Sequence, residues 1–222
     1  MSLLKKILDN KIFRLRIPFG HPQPDCISDF HQYIDEIINE WNKFKQIKLT
    51  TGIPIDDVSY EQKLLNDDKK WKAVFLYGYE YYTNVGLDYF PITSQIVKKW
   101  ENDITLVFFS TLEPGKRIPP HVGNNHGVVR SQIGIDIKDY INTGLRVVNN
   151  TVQLKNKEIF VFDDTFEHEA WNCGTLPRTV LIIDTPKKLP HIYNILNKFW
   201  LSKMKKSTYV QNALINIKKQ SF

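Results

Sequence analysis

The sequence predicts a mainly β protein, with a barrel or sandwich of short strands flanked by helices. Three observations predict it. From Ile104 onward apolar and polar residues alternate with a period of two, as in strands that bury one face. The candidate strands 104–112, 129–137, 144–148, 151–154, 158–163, 167–171 and 178–185 are separated by Gly, Asn and Pro clusters at regular intervals, the rhythm of an all-β sandwich or barrel. Helical spacing is confined to stretches before and after that run.

In chain order, residues 13–17 read as an edge strand and His21-Pro-Gln-Pro-Asp25 as a punctuated loop. Phe30, Tyr33, Ile34, Ile37, Ile38 and Trp41 recur at three- and four-residue steps, predicting a helix from Ser28 to Phe44. The polar stretch 46–70 reads as loops with a short helical turn, and Trp71 to Tyr79 as a strand entering the core. Ile92, Ile96, Val97 and Trp100 predict a short amphipathic helix over 91–101. After the strands, Pro186 and Pro190 end the sheet, and Ile192, Ile195, Leu196, Phe199 and Trp200 form a helix stripe over 191–204. The expected organisation is a single domain over 1–222, with its core at 71–187, an N-terminal extension at 1–70 and a helical tail at 188–222.

With 222 residues, 42% hydrophobic and 24% charged, the chain can bury a full core. No apolar run approaches a membrane span, and the first residues lack signal-peptide architecture. Cys26 and Cys173 are the only cysteines, too few for a disulfide framework or a four-cysteine zinc site. A cytoplasmic location is the simplest expectation. The net charge of +6 thickens toward the C-terminus at Lys198, Lys203, Lys205, Lys206, Lys218 and Lys219. Without interleaved aromatics or a nucleic-acid motif, this reads as a solvated helix face, and no nucleic-acid partner is expected. A weak attraction to anionic partners or membrane surfaces stays open.

The chemistry concentrates between Leu112 and Lys187. Phe166, His168 and Ala170 share one strand face, which places His168 inside. Arg178 lies ten positions later, and a hairpin about Cys173 would set it opposite His168. A buried arginine costs several kcal/mol unless an anion satisfies it; the alternatives are an ion pair with Asp184 or Asp136 and a bound dicarboxylate. His121 follows Pro119 and Pro120 on a strand rim, and Gly123 stands where a two-histidine, one-carboxylate iron site would carry its carboxylate. Asp163 and Asp164 could substitute for that carboxylate, but they sit before a loop and read rather as its caps. Ser110 is a hydroxyl on an apolar face, bonded either to backbone or to a ligand carboxylate. Arg130, Gln132, Gly134 and Asp136 share a polar face that is either exposed or lines a wet cavity.

As a set, Ser-Thr-Leu-Glu-Pro-Gly (110–115), Pro-His-Val-Gly (120–123), Arg130, Phe-Asp-Asp-Thr-Phe-Glu-His-Glu (162–169) and Arg178 resemble the aspartyl/asparaginyl β-hydroxylase family of iron(II)- and 2-oxoglutarate-dependent oxygenases. The resemblance covers about Trp71 to Thr185. It implies a double-stranded β-helix (jelly-roll, cupin-like) core and hydroxylation of an unactivated C–H bond, with Fe(II), 2-oxoglutarate and O2 as cofactor and cosubstrates. His121 and His168 would be the metal ligands, and Ser110 and Arg178 would hold the distal carboxylate of 2-oxoglutarate. Arg130 would stand near its other end or near substrate, as a further catalytic group, with Gln132 beside it in the cosubstrate site. Glycine at 123 is itself a family feature, leaving iron with two protein ligands. Gln132 replaces a histidine of relatives, and Val128 an arginine that grips acidic EGF-domain substrates. No tetratricopeptide region or membrane anchor is seen ahead of the domain. The substrate implied is a small molecule, a lipid or a peptide. Two other readings stay open, a halogenase using the space at Gly123 and a non-catalytic jelly-roll binding protein.

Overall fold

A computed structural model of the chain describes residue 18 and residues 22–220; the edge strand expected at 13–17 lies outside them. Helices α1 (Cys26–Gln32) and α2 (Ile34–Lys48) open the described chain. One helix was expected over 28–44. Two form because Tyr33 (φ −101°, ψ 24°) steps out of the helical region. After β1 (Ile53–Pro54) and α3 (Ile55–Val58) come β2 (Trp71–Gly78), β3 (Tyr81–Tyr82), α4 (Asn84–Tyr89) and α5 (Pro91–Lys99). The start of α5 is held by buried Glu40 of α2. Its carboxylate accepts from Ile92 N at 2.6 Å and from Thr93 N and Oγ1 at 3.2 and 2.6 Å, satisfying donors that no helical turn precedes.

Next follow β4 (Leu106–Leu112), β5 (Arg117–His121), β6 (Val128–Ile137), β7 (Thr143–Val147), β8 (Asn150–Val152), β9 (Ile159–Phe162), β10 (His168–Asn172) and β11 (Arg178–Pro186). Helices α6 (His191–Lys205) and α7 (Thr208–Lys218) close the chain. The larger sheet runs β1-β2-β4-β11-β6-β9, with β3 on β2; the smaller runs β5-β10-β7-β8.

Strand alternation divides the apolar residues between two cores. Val74, Phe109, Leu181 and Ile133 stand in one cross-strand row and pack against Trp41 and Phe44 of α2. The adjacent row on the opposite face, Ala73, Ser110, Val180 and Gly134, looks toward the smaller sheet. There Phe75, Phe108, Phe162 and Ile182 meet Ile118, Leu145, Val147 and Ala170. The order of layers is therefore helices, large sheet, small sheet.

The mainly β jelly-roll expectation is corrected. The fold is mixed α/β, 36% helical, and its two sheets are open, with no ladder among the described residues closing one onto the other. Periodicity and turn spacing report where strands are, but not which strands share a sheet. Nor do they show that helices cover the outer face of the larger one. That covering explains why β11 is buried along nearly its whole length, the pattern of a strand packed on both faces.

Five further elements escaped the sequence pattern: the two-residue strands β1 and β3, and α4, β5 and α7. β5 reads Arg-Ile-Pro-Pro-His, and its prolines look like breakers; it forms because it lies on a sheet edge, where a missing N–H breaks no ladder. α7 lays Ala213, Leu214 and Ile217 against the inter-sheet core. Just beyond it, the Gln220 side-chain amide bonds Phe75 N and O at 3.3 and 2.8 Å, covering part of β2 that lies past β1.

Gly134 is a close-approach position. A β-carbon there would stand 2.0 Å from the Lys155 carbonyl oxygen, because the 155–158 turn docks on it through Gly134 N to Glu158 O and Lys157 N to Gly134 O. Gly134→Ala is expected to cost about 1–3 kcal/mol, read as a lowered urea midpoint with unchanged m value. An unaltered midpoint would show that this turn does not bear on the sheet.

Candidate active site

The two histidines come together across one strand pair. β5 and β10 are antiparallel neighbours, and His168 lies directly opposite His121. Their ring centroids are 4.2 Å apart at an interplanar angle of 51°. Each ring is oriented by a backbone carbonyl two residues before it: His121 Nδ1 lies 2.8 Å from Pro119 O and His168 Nδ1 lies 2.9 Å from Phe166 O. A carbonyl only accepts, so both protons sit on Nδ1 and both Nε2 atoms carry a lone pair. Burial pushes the His168 pKa down to about 3, reinforced by His121, and burial also lowers that of His121. Two neutral imidazoles with free Nε2 atoms and carbonyl-bonded Nδ1–H groups are what a metal pair requires. Phe162 packs edge-on against His168 at 5.4 Å.

The space beside Gly123 is filled. A β-carbon on it would lie 2.3 Å from Asp164 Oδ2, and Gly123 N donates to Asp164 O at 2.7 Å. Among the described residues no group of three or more His, Cys, Asp or Glu is placed to hold a metal ion. The histidine pair would thus supply two ligands, with Asp164 packed against Gly123. Asp163 is a loop cap, as expected, accepting from Thr165 N and Oγ1 at 3.1 and 2.7 Å. It also forms a fully buried ion pair with Lys187 at 2.6 Å. Asp164 is not a cap. Its Oδ2 lies 3.3 Å from Arg130 Nη1, its Oδ1 is buried with no hydrogen-bond partner, and burial pushes its pKa up to about 6.

Arg178 opens β11 in the larger sheet, not opposite His168. The hairpin expected about Cys173 does not form. β10 pairs with β5 and β7, whereas β11 pairs with β4 and β6, so the chain crosses between sheets at 173–177. Arg178 shares the alternation of Val180 and Ile182, which pack into the inter-sheet core. It is 3% exposed. Its Nη2 donates to Gln132 Oε1 at 3.3 Å, and its Nε is buried without a partner. Burial lowers its pKa to about 10.

Both aspartates weighed as its structural partner are engaged elsewhere. Asp136 is held by Lys45 of α2, because a bulge between Thr179 and Val180 sets it opposite Thr179 instead of on the Gly134 face. Asp184 takes a bidentate contact from Arg130, Nε to Oδ1 at 2.8 Å and Nη2 to Oδ2 at 2.7 Å. Ser110 accepts from Trp71 Nε1 at 3.0 Å, not from backbone, and its hydroxyl proton stays available.

Arg130 bridges Asp184 and Asp164. Burial alone would lower its pKa, but the two carboxylates hold it above the usual arginine value. Of that polar face, Arg130 and Gln132 thus line the inter-sheet space. Of the tyrosines between 77 and 89, only Tyr79 reaches this cluster. Its hydroxyl accepts from Asn125 at 3.1 Å, and burial with Asp184 and Asp164 raises its pKa. Tyr79 and Glu80 form the two-residue β2–β3 turn with φ of +49° and +70°, a left-handed pair that non-glycine residues rarely adopt. Tyr77 and Tyr82 instead pack against each other with tilted rings, and Tyr89 meets Phe44 edge-on.

Sequence reasoning weighed Asp164 only as a substitute ligand or a loop cap, missing its contact with Arg130 and its packing on Gly123, and it missed Trp71 as the partner of Ser110. A glycine at 123 was the one signal for Asp164, since something must occupy the volume that it leaves.

Comparison with known proteins gives the family. The aspartyl/asparaginyl beta-hydroxylase family model matches residues 33–188. The chain is 34% identical over 134 residues to an ornithine lipid ester-linked acyl 2-hydroxylase of Rhizobium tropici, covering 60% of this chain and 47% of that one. It is 30% identical over 76 residues to the human aspartyl/asparaginyl beta-hydroxylase, covering 34% of this chain and 10% of that one. The chain thus spans about half of the first relative and a tenth of the second. Among solved structures, a cupin domain of an XRE family transcriptional regulator from Enterobacter cloacae aligns with a TM-score of 0.39 at 12% identity, over 54% of this chain and 99% of that one. With 33–188 matched and the motif residues gathered between two sheets, the chain belongs to the aspartyl/asparaginyl β-hydroxylase family.

Proposed function

We propose that the chain is an iron(II)- and 2-oxoglutarate-dependent hydroxylase that acts on an unactivated C–H bond, with a lipid acyl chain as the favoured substrate class over a free small molecule or a peptide. One observation carries the reading: a buried guanidinium, Arg178, has no carboxylate partner while a neutral histidine pair offers two free Nε2 atoms. A dicarboxylate cosubstrate answers the first feature and a divalent metal the second. The lipid preference rests on the Rhizobium relative, named for hydroxylating an ester-linked acyl group.

In this reading His121 and His168 hold Fe(II). When bound, iron with 2-oxoglutarate and O2 supplies the oxidation of the C–H bond, and 2-oxoglutarate leaves as succinate and CO2. The chain's own residues bind and orient. Arg178 offers paired donors to the distal carboxylate, Ser110 donates its spare hydroxyl hydrogen to it, and Gln132 holds the guanidinium through its side-chain oxygen. Arg130 sets the electrostatics of the other end, its charge balanced by Asp184 and Asp164. Phe162, Val147, Ala170 and Ile182 make an apolar lining that keeps water from the reacting centre. The halogenase alternative is disfavoured, because the room left by Gly123 contains the Asp164 carboxylate, a poor neighbour for a halide.

Two experiments test this. Anaerobic titration with Fe(II) and 2-oxoglutarate, followed by addition of O2, should yield succinate from the wild-type chain and none from His168→Ala, with both folded by circular dichroism. Succinate from the variant would remove His168 from the site. Arg178→Met is expected to act in opposite directions on two readouts. Relieved of an unpaired buried charge, the ligand-free protein should gain about 1–4 kcal/mol of stability. Its 2-oxoglutarate affinity should fall by about 100-fold or more, since two charge-assisted hydrogen bonds disappear. Lower stability with unchanged affinity would mean that the arginine is structural.

A further inference from the structure

The charge of this chain is concentrated in one segment. Residues 191–222 hold six lysines and no aspartate or glutamate. Subtracting them from 30 basic and 24 acidic residues leaves 24 of each in residues 1–190, so the whole net charge of +6 belongs to the tail. The lysines do not stand on a purely polar face. On α6, Ile195, Lys198, Phe199, Ser202 and Lys203 are exposed at steps of three, four, seven and eight residues, and Lys206 follows at eleven, forming one stripe along the helix. Ile195 is 58% and Phe199 52% exposed, and Lys203 Nζ lies 4.8 Å over the Phe199 ring. On α7, Ile215 is likewise exposed on a stripe with Lys218 and Lys219.

We propose that the outer face of α6 docks the protein onto an anionic phospholipid surface. A solvated face has no use for a half-exposed Phe and Ile between its lysines. A nucleic-acid backbone would draw on the charge but leave the apolar pair idle. Large apolar side chains flanked by lysines, with no acid in the segment, suit a helix that lies in the headgroup region: the apolar groups sink and the ammonium groups meet phosphates. No described helix is long and apolar enough to cross a membrane, so the contact is at the surface.

The opposite face of α6 is anchored to the body of the protein. Asn197 Nδ2 donates to Gly127 O at 2.9 Å, and a β-carbon on Gly127 would meet Asn197, Leu201 and Trp200. Gly127 belongs to the segment joining His121 to Arg130. A docked α6 thus holds that segment beside the lipid surface, which matters for catalysis only if the proposed acyl-lipid hydroxylation holds; the docking itself does not depend on it.

The test is sedimentation of the full chain with phosphatidylcholine vesicles, with and without phosphatidylglycerol. Binding is expected to the anionic vesicles alone and to weaken as salt is raised. Lys198→Gln/Lys203→Gln/Lys206→Gln should lower the partition coefficient about 100-fold, at roughly fivefold per lysine. Ile195→Ser/Phe199→Ser should lower it about tenfold or more, by loss of apolar burial. Both sets are surface changes, so unfolding midpoints should match wild type. Wild-type protein that stays in the supernatant overturns the proposal, as does full binding by the Ile195/Phe199 variant. A chain that pellets yet forms no succinate leaves docking intact and defeats the hydroxylase reading; the reverse result defeats docking alone.

Discussion

A guanidinium buried between two sheets with no counter-charge among the described residues is the constraint on which the rest of the site depends. Arg178 begins a strand buried along nearly its whole length, paired with β4 on one side and β6 on the other. Isolated burial of a charge costs several kcal/mol, and only a stiff, well-packed surround can impose it. The layered arrangement provides that surround: helices pack on one face of the large sheet, so the other face can carry polar groups into the inter-sheet space without opening the core.

The neighbouring charges are arranged so that Arg178 stays alone. At the far end of β11, Asp184 is neutralised by Arg130 through two short contacts, and the same arginine takes up Asp164. Asp136 would be a ready partner on an unbroken ladder, but the bulge in β6 turns it toward α2 and Lys45. Along one face of β11 there is thus a lone cation, an apolar middle at Val180 and Ile182, then a balanced cluster. The proposed dicarboxylate would have one strong electrostatic reason to enter, and that reason is at one end.

Much of this was legible in the sequence, though not all for the right reason. The alternation around His168 placed it inside, and its strand partner β5 carries His121 as the motif pattern required. Arg178 was singled out through a hairpin with β10 that does not exist; its inward orientation follows instead from the alternation of β11 itself. Strand positions were readable because alternation is local. Sheet membership was not, because it is decided by the long connections between strands, and the jelly-roll expectation failed there. The prolines in β5 hid a strand because an edge position excuses them, and edge or centre is a tertiary property. Asp164 was hidden for a similar reason, since Asp163 and Asp164 look alike in the chain and differ only in what they face.

Gly123 and Asp164 are best understood as one feature. A side chain at 123 would run into the Asp164 carboxylate within 2.3 Å, and that carboxylate is fixed in turn by Arg130, which Asp184 holds. The absence of a ligand side chain at 123 is therefore built into the packing. Restoring a carboxylate there would require displacing a buried, charge-paired group and, with it, the arginine that balances Asp184. The packing beside the histidine pair and the isolation of Arg178 thus rest on the same ion network, so the two halves of the candidate site stand on one set of contacts.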